Sequence, residues 1–380
     1  MFKPRFTLTP AITKALMEIE ACRQAVTRLP LTVPMLDSLR RSARLLSTHF
    51  STQIEGNKLS PSQVQEVIEG GGRFPGRERD EAEVRNYYQA LEFVLREAVK
   101  KAPITEQVFR TIHGLVIEGR NRPTKYRDGQ NVIRDGRTGG MVYLPPEAKD
   151  VPALMKDLIA WIAKELQRNE LPVPVIASLA HYQCATIHPY YDGNGRTARL
   201  LTTLILHRGG YGLHGIYSLE EYYAEHLQGY YDALAVGASH NYYHGRAEAD
   251  VTLFLAYFCI GMADSFAKIR NRAEEAERQG EPDQTAILRG LTAQERKALP
   301  LFLKMKTIAS RDMARFFRIN TRMASAACLK WVDTGFLIVA DPSKKGRRYQ
   351  LAPKYESLIT ENIVGPFDSS EDAIAHLLSL

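Results

Sequence analysis

The amino-acid sequence predicts a mainly α-helical protein with one β-hairpin laid over a helical body and a winged helix-turn-helix at its C-terminal end. Three observations carry that fold class. Apolar residues recur every three to four positions through most of the first 280 residues, the period of a helix that buries one face. A single glycine-rich stretch, 126–146, breaks the pattern with two short runs of β-type residues. Beyond residue 290 the order becomes helix, helix, helix and hairpin. With 380 residues the chain has room for two or three domains. The boundaries expected are an N-terminal helical region over 1–105, a core carrying the chemistry over 106–270, a polar linker over 271–290 and the winged helix-turn-helix over 291–380.

The periodic segments run roughly 9–27, 35–54, 80–101, 150–168, 174–188, 196–209, 218–236 and 248–278. Local punctuation supports them. Ser60-Pro61 sets a cap residue before a proline, whose fixed φ suits a first helical turn. Thr105, ahead of Gln107 and Val108, opens another helix, and Gly209-Gly210 closes the 196–209 segment. In the hairpin, Asn131–Arg134 and Met141–Leu144 are the strand-like runs around the glycines. The C-terminal helices are expected at 292–306, 310–317 and 321–334, the strands at 336–340 and 348–351.

Composition narrows the class. At 44% hydrophobic and 24% charged residues the chain reads as globular and soluble. Its four cysteines are scattered without a C-x-x-C pair, which argues against a disulfide framework or a thiolate zinc site and fits a reducing cytoplasm. No apolar leader follows Met1, and the longest apolar stretch, 251–263, is too short to span a bilayer, so a buried core helix is expected there and no membrane partner. The net charge of +7 suits a phosphate-bearing partner.

The chemistry concentrates in His188-Pro-Tyr-Tyr-Asp-Gly-Asn-Gly-Arg-Thr-Ala-Arg199. An apolar helix precedes it and is stopped by Pro189. Another apolar helix follows, so the Asp-Gly-Asn-Gly loop opens onto a helix N-terminus, where unpaired N–H groups attract anions. Arg196 and Arg199, three apart, share a face, and two guanidinium groups beside an N–H cradle describe a polyphosphate pocket. Asp192 is a hard oxygen ligand suited to Mg²⁺, and His188 can take a proton near neutral pH. His181, Cys184 and His188 fall on helical spacing, but no fourth zinc ligand is evident. Neither a P-loop nor a G-x-S-x-G elbow occurs.

This stretch resembles the Fic signature H-P-F-x-(D/E)-G-N-G-R-x-x-R, with Tyr190 where Phe is usual, and the likeness extends over roughly 35–265. The resemblance implies a Fic-type helical bundle whose hairpin is a flap, and a protein adenylyltransferase that moves AMP from ATP to a Tyr, Thr or Ser hydroxyl. By that resemblance His188 is the general base, and Asp192 holds Mg²⁺. Gly193, Asn194 and Gly195 hold the α-phosphate, Arg196 and Arg199 hold the β- and γ-phosphates, and Thr197 sits in the same ATP site.

A second stretch, Ser51-Thr-Gln-Ile-Glu55-Gly-Asn57, ends the 35–54 helix with an acid where the helix dipole favours a cation. It resembles the family's inhibitory signature (S/T)-x-x-x-E-(G/N), which implies that Glu55, with Ser51 one turn before it, pairs with Arg199 and fills the γ-phosphate position. The same glutamate is implied in AMP removal by some members. The flap, 130–144, is expected to dock an extended segment of the target protein by β-augmentation, with Val132 and Ile133 at its apolar positions and an unusually long polar insertion at 135–140. Tyr230 and Tyr231 resemble the tyrosines that line an adenosine pocket, although Tyr222-Tyr223 and Tyr242-Tyr243 are pairs too, and the expected asparagine falls near Ala238 or Asn241. The resemblance further implies automodification and is compatible with a homodimer.

In the C-terminal module, Arg311, Arg315, Arg318 and Arg322, with Lys344, Lys345, Arg347 and Arg348 at the expected wing, suit DNA phosphates over 310–350. Much of the 321–334 helix is otherwise small or apolar, which suits a protein-docking or dimerising role rather more than DNA binding. The alternative function is a DNA-binding regulator whose Fic domain senses a nucleotide. Intact His188, Asp192 and both arginines favour the transferase, since a sensor needs no base.

Overall fold

The computed structural model describes residues 2–359 except 30, 101, 135–138, 238, 280–289, 342 and 344–346. Two compact units are distinguished, one of residues 1–27 and 40–270, the other of 28–39 and 271–380. The first contains both the N-terminal helices and the 106–270 core, and residues 28–39 group with the C-terminal residues, a division that composition did not suggest.

In the first unit the helices are α1 (Pro10–Arg28), α2 (Val33–Ile54), α3 (Pro61–Glu69), α4 (Glu78–Ala98), α5 (Glu106–Glu118), α6 (Val151–Arg168), α7 (Val173–Ile187), α8 (Asn194–Arg208), α9 (Leu219–Glu225), α10 (Leu227–Leu234) and α11 (Thr252–Gln279), the first residues of α2 and the last of α11 being those of the other unit. Their ends follow local chemistry. Ser60 and Gln63 form a reciprocal capping box over α3, Thr105 caps α5 through the Val108 N–H, and Ser218 caps α9 through the Glu221 N–H. The expected 218–236 helix is two, because His226 leaves helical geometry at φ −117° and ψ 40°.

At the centre lies α7. Nearly every one of its side chains is buried, so it shows no polar face. It packs on α8 and α6, while α4 and α5 cover the rest of α8. The Thr252–Glu275 stretch of α11 is long and apolar enough to cross a membrane by length and composition, more than the 251–263 count suggested. Half of it is buried within the chain, with Leu255, Phe258, Cys259, Met262 and Phe266 inaccessible to solvent. The flap is reduced to β1 (Ile133–Arg134) and β2 (Met141–Tyr143), paired antiparallel with a bulge. Of its insertion, 135–138 lie outside the described residues.

The second unit holds α12 (Ala293–Lys304), α13 (Ser310–Phe317) and α14 (Thr321–Asp333), followed by the antiparallel strands β3 (Leu337–Asp341) and β4 (Arg348–Leu351). Its core gathers Leu299, Ile308, Met313, Cys328, Trp331, Phe336 and Tyr349. Thr292 with Glu295, and Asn320, cap α12 and α14. Lys344 and Lys345 of the expected wing, and residues 280–289 of the 271–290 linker, lie outside the described residues, while 271–279 continue α11.

Buried histidines couple this fold to pH. Burial holds the pKa of His49, His113 and His207 down to about 4 and that of His181 to about 3, against an ordinary value of 6.5. Between those values the unfolded chain binds more protons than the folded one, so the stability contributed by neutral rings is complete above 6.5 and lost as pH falls towards 4. The melting temperature followed by circular dichroism should therefore drop steadily from pH 7 to pH 4, and a flat profile would contradict the burial of these rings.

Candidate active site

The loop between α7 and α8 is built so that both helix ends face one space. His188 closes α7 in the left-handed region at φ 50°, its N–H still donating to the Cys184 carbonyl at 3.1 Å. Gly193 opens α8 at φ 74°, where a side chain would also collide with Ile117, 2.7 Å from the position of a Cβ. Asn194 spans the loop: its Oδ1 accepts from the Tyr190 N–H at 2.9 Å and its Nδ2 donates to the Tyr190 carbonyl at 2.8 Å. The loop is thereby locked. What α8 offers outward is the first-turn N–H groups of Asn194, Gly195 and Arg196, which have no intrahelical carbonyl.

The Asn194 side chain braces the loop, and its N–H remains with those of the opening turn of α8. Thr197 is buried with its hydroxyl donating to the Gly193 carbonyl at 2.8 Å, as polar side chains in a first turn often do.

Both arginines are almost wholly buried, Arg196 at 2% and Arg199 at 1% exposure. Arg199 donates through Nε to Ser51 Oγ and through Nη2 to the Ser51 carbonyl, each at 2.8 Å, and Nη2 also reaches Glu55 Oε1 at 2.9 Å. Its Nη1 has no hydrogen bond among the described residues. Burial depresses the Arg199 pKa, but the Glu55 carboxylate, aided by Tyr230 and Tyr87, more than reverses this and holds it above the ordinary guanidinium value. Glu55 lies just past α2, where Gly56 turns the chain at φ 95°. Its Oε1 lies 2.3 Å from where a Gly195 Cβ would be, so the carboxylate rests against the opening turn of α8 as an anion would. Arg196 sits between Asp192 Oδ1 at 3.3 Å and Glu83 Oε1 at 3.9 Å. The Asp192 side chain is 62% exposed, with Oδ1 accepting the Gly193 N–H at 2.6 Å.

A cavity of about 590 Å³ joins several of these parts, with Asp192 and Arg196 not among its lining residues. His188, Asn194, Gly195, Arg199 and Glu55 form its polar side, while Ile133, Val142, Tyr143, Tyr230 and Tyr231 are among its other walls. Val132, half-buried just before β1, is not among the lining residues. Tyr230 is buried and bonded to His181 Nε2 at 2.8 Å, so its ring forms a wall, whereas Tyr231 is 46% exposed and reaches the Ile54 carbonyl at 3.4 Å. Ala238 lies outside the described residues, and Asn241 caps the turn at Tyr243. His181 is a core residue bonded to Thr202 and Tyr230, and no cluster of three metal-ligating side chains occurs among the described residues. Burial, partly opposed by a hydrogen bond to the Ala185 backbone, brings the His188 pKa down to about 4. The ring is therefore neutral, and able to accept a proton, throughout the neutral range.

Residues 103–206 match the Fic/DOC family. The segment is a Fic domain. Protein adenylyltransferase Fic of Drosophila grimshawi is 30% identical over 199 residues, covering 52% of this chain and 40% of the fly protein, and that of Drosophila melanogaster is 29% identical over 202 residues, covering 52% and 39%. The chain thus spans about two-fifths of the length of these curated relatives. A Fic family protein from Desulfovibrio desulfuricans G20 superposes with a TM-score of 0.56 at 25% identity, over 93% of this chain and 99% of that one. Fic-1 of C. elegans (residues 134–508) does so with a TM-score of 0.53 at 24% identity, over 70% and 71%, a likeness of fold.

Around the Fic motif stand residues that no sequence signal marked. Arg127, buried, donates to the carbonyls of His188 at 3.0 Å, Gly129 at 3.0 Å and Pro146, tying the flap to the motif. His113 spans Thr124 at 2.7 Å and the Asp192 carbonyl at 3.0 Å, and its ring stacks on Tyr190 at 3.4 Å between centroids and 6° between planes. The Tyr190 hydroxyl approaches Thr124 without a well-aligned hydrogen bond. Tyr143 anchors β2 by donating to the Thr186 carbonyl at 2.8 Å. An NMR titration of the His188 ring should give a midpoint near 4; a midpoint near 6.5 would mean the imidazole faces solvent.

Proposed function

We propose that the protein is an adenylyltransferase that moves AMP from ATP to a protein hydroxyl, releases pyrophosphate and is restrained by Glu55. The observation that carries this reading is a neutral imidazole and a buried arginine lining one cavity, with an anion-seeking helix start between them and a carboxylate resting where a phosphate would. In the reaction His188 takes the proton of the target hydroxyl as that oxygen bonds to the α-phosphorus of ATP. The bond from the α-phosphorus to the bridging oxygen breaks, and pyrophosphate departs. The N–H groups opening α8 oppose the charge on the α-phosphate, and Arg196 and Arg199 hold the pyrophosphate end. Positioning and charge neutralisation supply most of the rate.

Mg²⁺ fits this site modestly. Asp192 presents an exposed carboxylate beside the helix start, and Mg²⁺ commonly takes one or two carboxylates with the rest of its shell from phosphates and water. Its chemistry would be to neutralise phosphate charge. Ile133 and Val142 line the cavity wall beside His188, which supports the flap as the place where an extended target segment, of another protein or a second copy, is laid.

Glu55 restrains the enzyme because its carboxylate and a γ-phosphate compete for the same guanidinium. Intact-mass analysis after incubation with ATP and Mg²⁺ should show wild type adding little AMP to itself, Glu55→Gly adding at least about tenfold more, and His188→Ala adding essentially none, a general-base loss of roughly 10²–10⁴. Equal labelling of wild type and Glu55→Gly would refute the restraint, and labelling by His188→Ala would refute the base.

A second reading concerns the C-terminal unit, for which we propose a winged-helix role in binding DNA phosphates. Arg311, Arg315, Arg322, Arg347 and Arg348 are all exposed there, and none takes part in an ion pair among the described residues. Fluorescence anisotropy with duplex DNA should show binding that weakens steeply with salt and survives His188→Ala; no binding at low salt would dismiss it.

A further inference from the structure

Among the buried acids that the mechanism above leaves unused, Glu220 is the least exposed of those described. Glu220, the second residue of α9, is 3% exposed. Its Oε2 accepts hydrogen bonds from Ser47 Oγ and Ser218 Oγ, each at 3.0 Å, and its Oε1 accepts from the Tyr87 hydroxyl at 3.1 Å. The donors come from α2, α4 and the cap of α9 itself. Tyr87 is wholly buried, its oxygen also meets the Ser51 hydroxyl, and it stands in the field of both Glu220 and Arg199.

The placement on α2 gives this its meaning. Ser47, Ser51 and Glu55 are spaced by four, so Ser47 and Ser51 share a face of α2 and Glu55 continues that line just past its end. Glu220 holds the first, Arg199 holds the second and third, and Tyr87 joins Glu220 to the second. A buried carboxylate adds little net stability over a well-packed apolar group, and what it contributes here is a fixed direction for the stripe.

We propose that Glu220 is a positioning residue for the inhibitory arm: through Ser47 and Tyr87 it fixes the stripe that carries Ser51 and Glu55, and so sets how readily Arg199 is released to a nucleotide. The inference rests on the reading of Glu55 as a competitor for the γ-phosphate site. Glu220 itself touches neither nucleotide nor target.

Automodification rates with ATP and Mg²⁺, read by intact mass, test it in four proteins: wild type, Ser47→Ala, Glu55→Gly and the double variant. Ser47→Ala should raise the wild-type rate about tenfold, as expected for losing a hydrogen bond to a charged acceptor, and Ser47→Thr should restore the low rate. Added to Glu55→Gly, Ser47→Ala should change nothing, because the arm no longer carries an anion to position. Tyr87→Phe, which keeps the ring and removes the second donor, should act in the same direction. Hydrogen exchange at residues 51–57 should quicken in Ser47→Ala without nucleotide. An unchanged rate and unchanged exchange in Ser47→Ala, while Glu55→Gly is active, would overturn the proposal alone. A fall in rate in both backgrounds would overturn it too, making the network plain core support. No gain from Glu55→Gly would instead remove the reading on which it rests.

Discussion

The buried Arg199 guanidinium is the constraint from which the site's arrangement follows. A charge almost wholly withdrawn from water is tolerated only with close, well-oriented partners, and stripping them away costs several kcal/mol. Here the partners are the Ser51 hydroxyl and carbonyl and the Glu55 carboxylate, 148 and 144 residues distant in sequence. Satisfying Arg199 therefore fixes the end of α2 against the start of α8. It also makes the site selective between states, because a phosphate oxygen and a carboxylate are interchangeable to a guanidinium but repel each other. Whichever anion holds Arg199 excludes the other.

Around that point the scaffold is rigid where chemistry needs it and open where ligands enter. His188 in a left-handed cap, Asn194 across the loop, Arg127 on three carbonyls and His113 stacked on Tyr190 leave the α7–α8 loop few freedoms. A preorganised N–H cradle then has little reorganisation to undergo when charge develops. The exposed groups are Asp192, Tyr231 and the flap residues Met141 and Val142, the positions through which a metal, a base and a peptide would have to pass.

What the sequence revealed was local. Capping residues, glycines and proline mark the ends of α3, α5 and α8, and the twelve residues from His188 to Arg199 hold base, helix start and both arginines in one continuous run. Side-chain direction was not legible there: the Asn194 amide and the Thr197 hydroxyl both hydrogen-bond backbone groups of the tight loop. The pairing of Glu55 with Arg199 has no trace in periodicity and came from family resemblance. Glu220 was invisible for a plain reason. An acid in the first turn of a helix, two residues after a serine cap, is what the helix dipole favours on any exposed surface, so nothing in Ser-Leu-Glu-Glu marks these acids as buried, although both are. The break at His226 was likewise hidden, since apolar spacing runs through it.

Two carboxylates serve this site in opposite ways, and their surroundings explain the division. The Glu55 side chain is 29% exposed and hangs from a helix end just before a glycine turn, so its own carboxylate has water to return to when another anion takes its place on Arg199. Glu220 has three hydroxyl donors and almost no access to solvent, so leaving its place would strand a buried charge. A detachable acid can act as a competitor; an undetachable one can only act as a fixed reference. Because Glu220 of α9 holds Ser47 and Arg199 holds Ser51 and Glu55, the fixed acid and the detachable one act on a single line of residues, so under the proposed restraint the rigid core would set how readily a nucleotide gains the guanidinium.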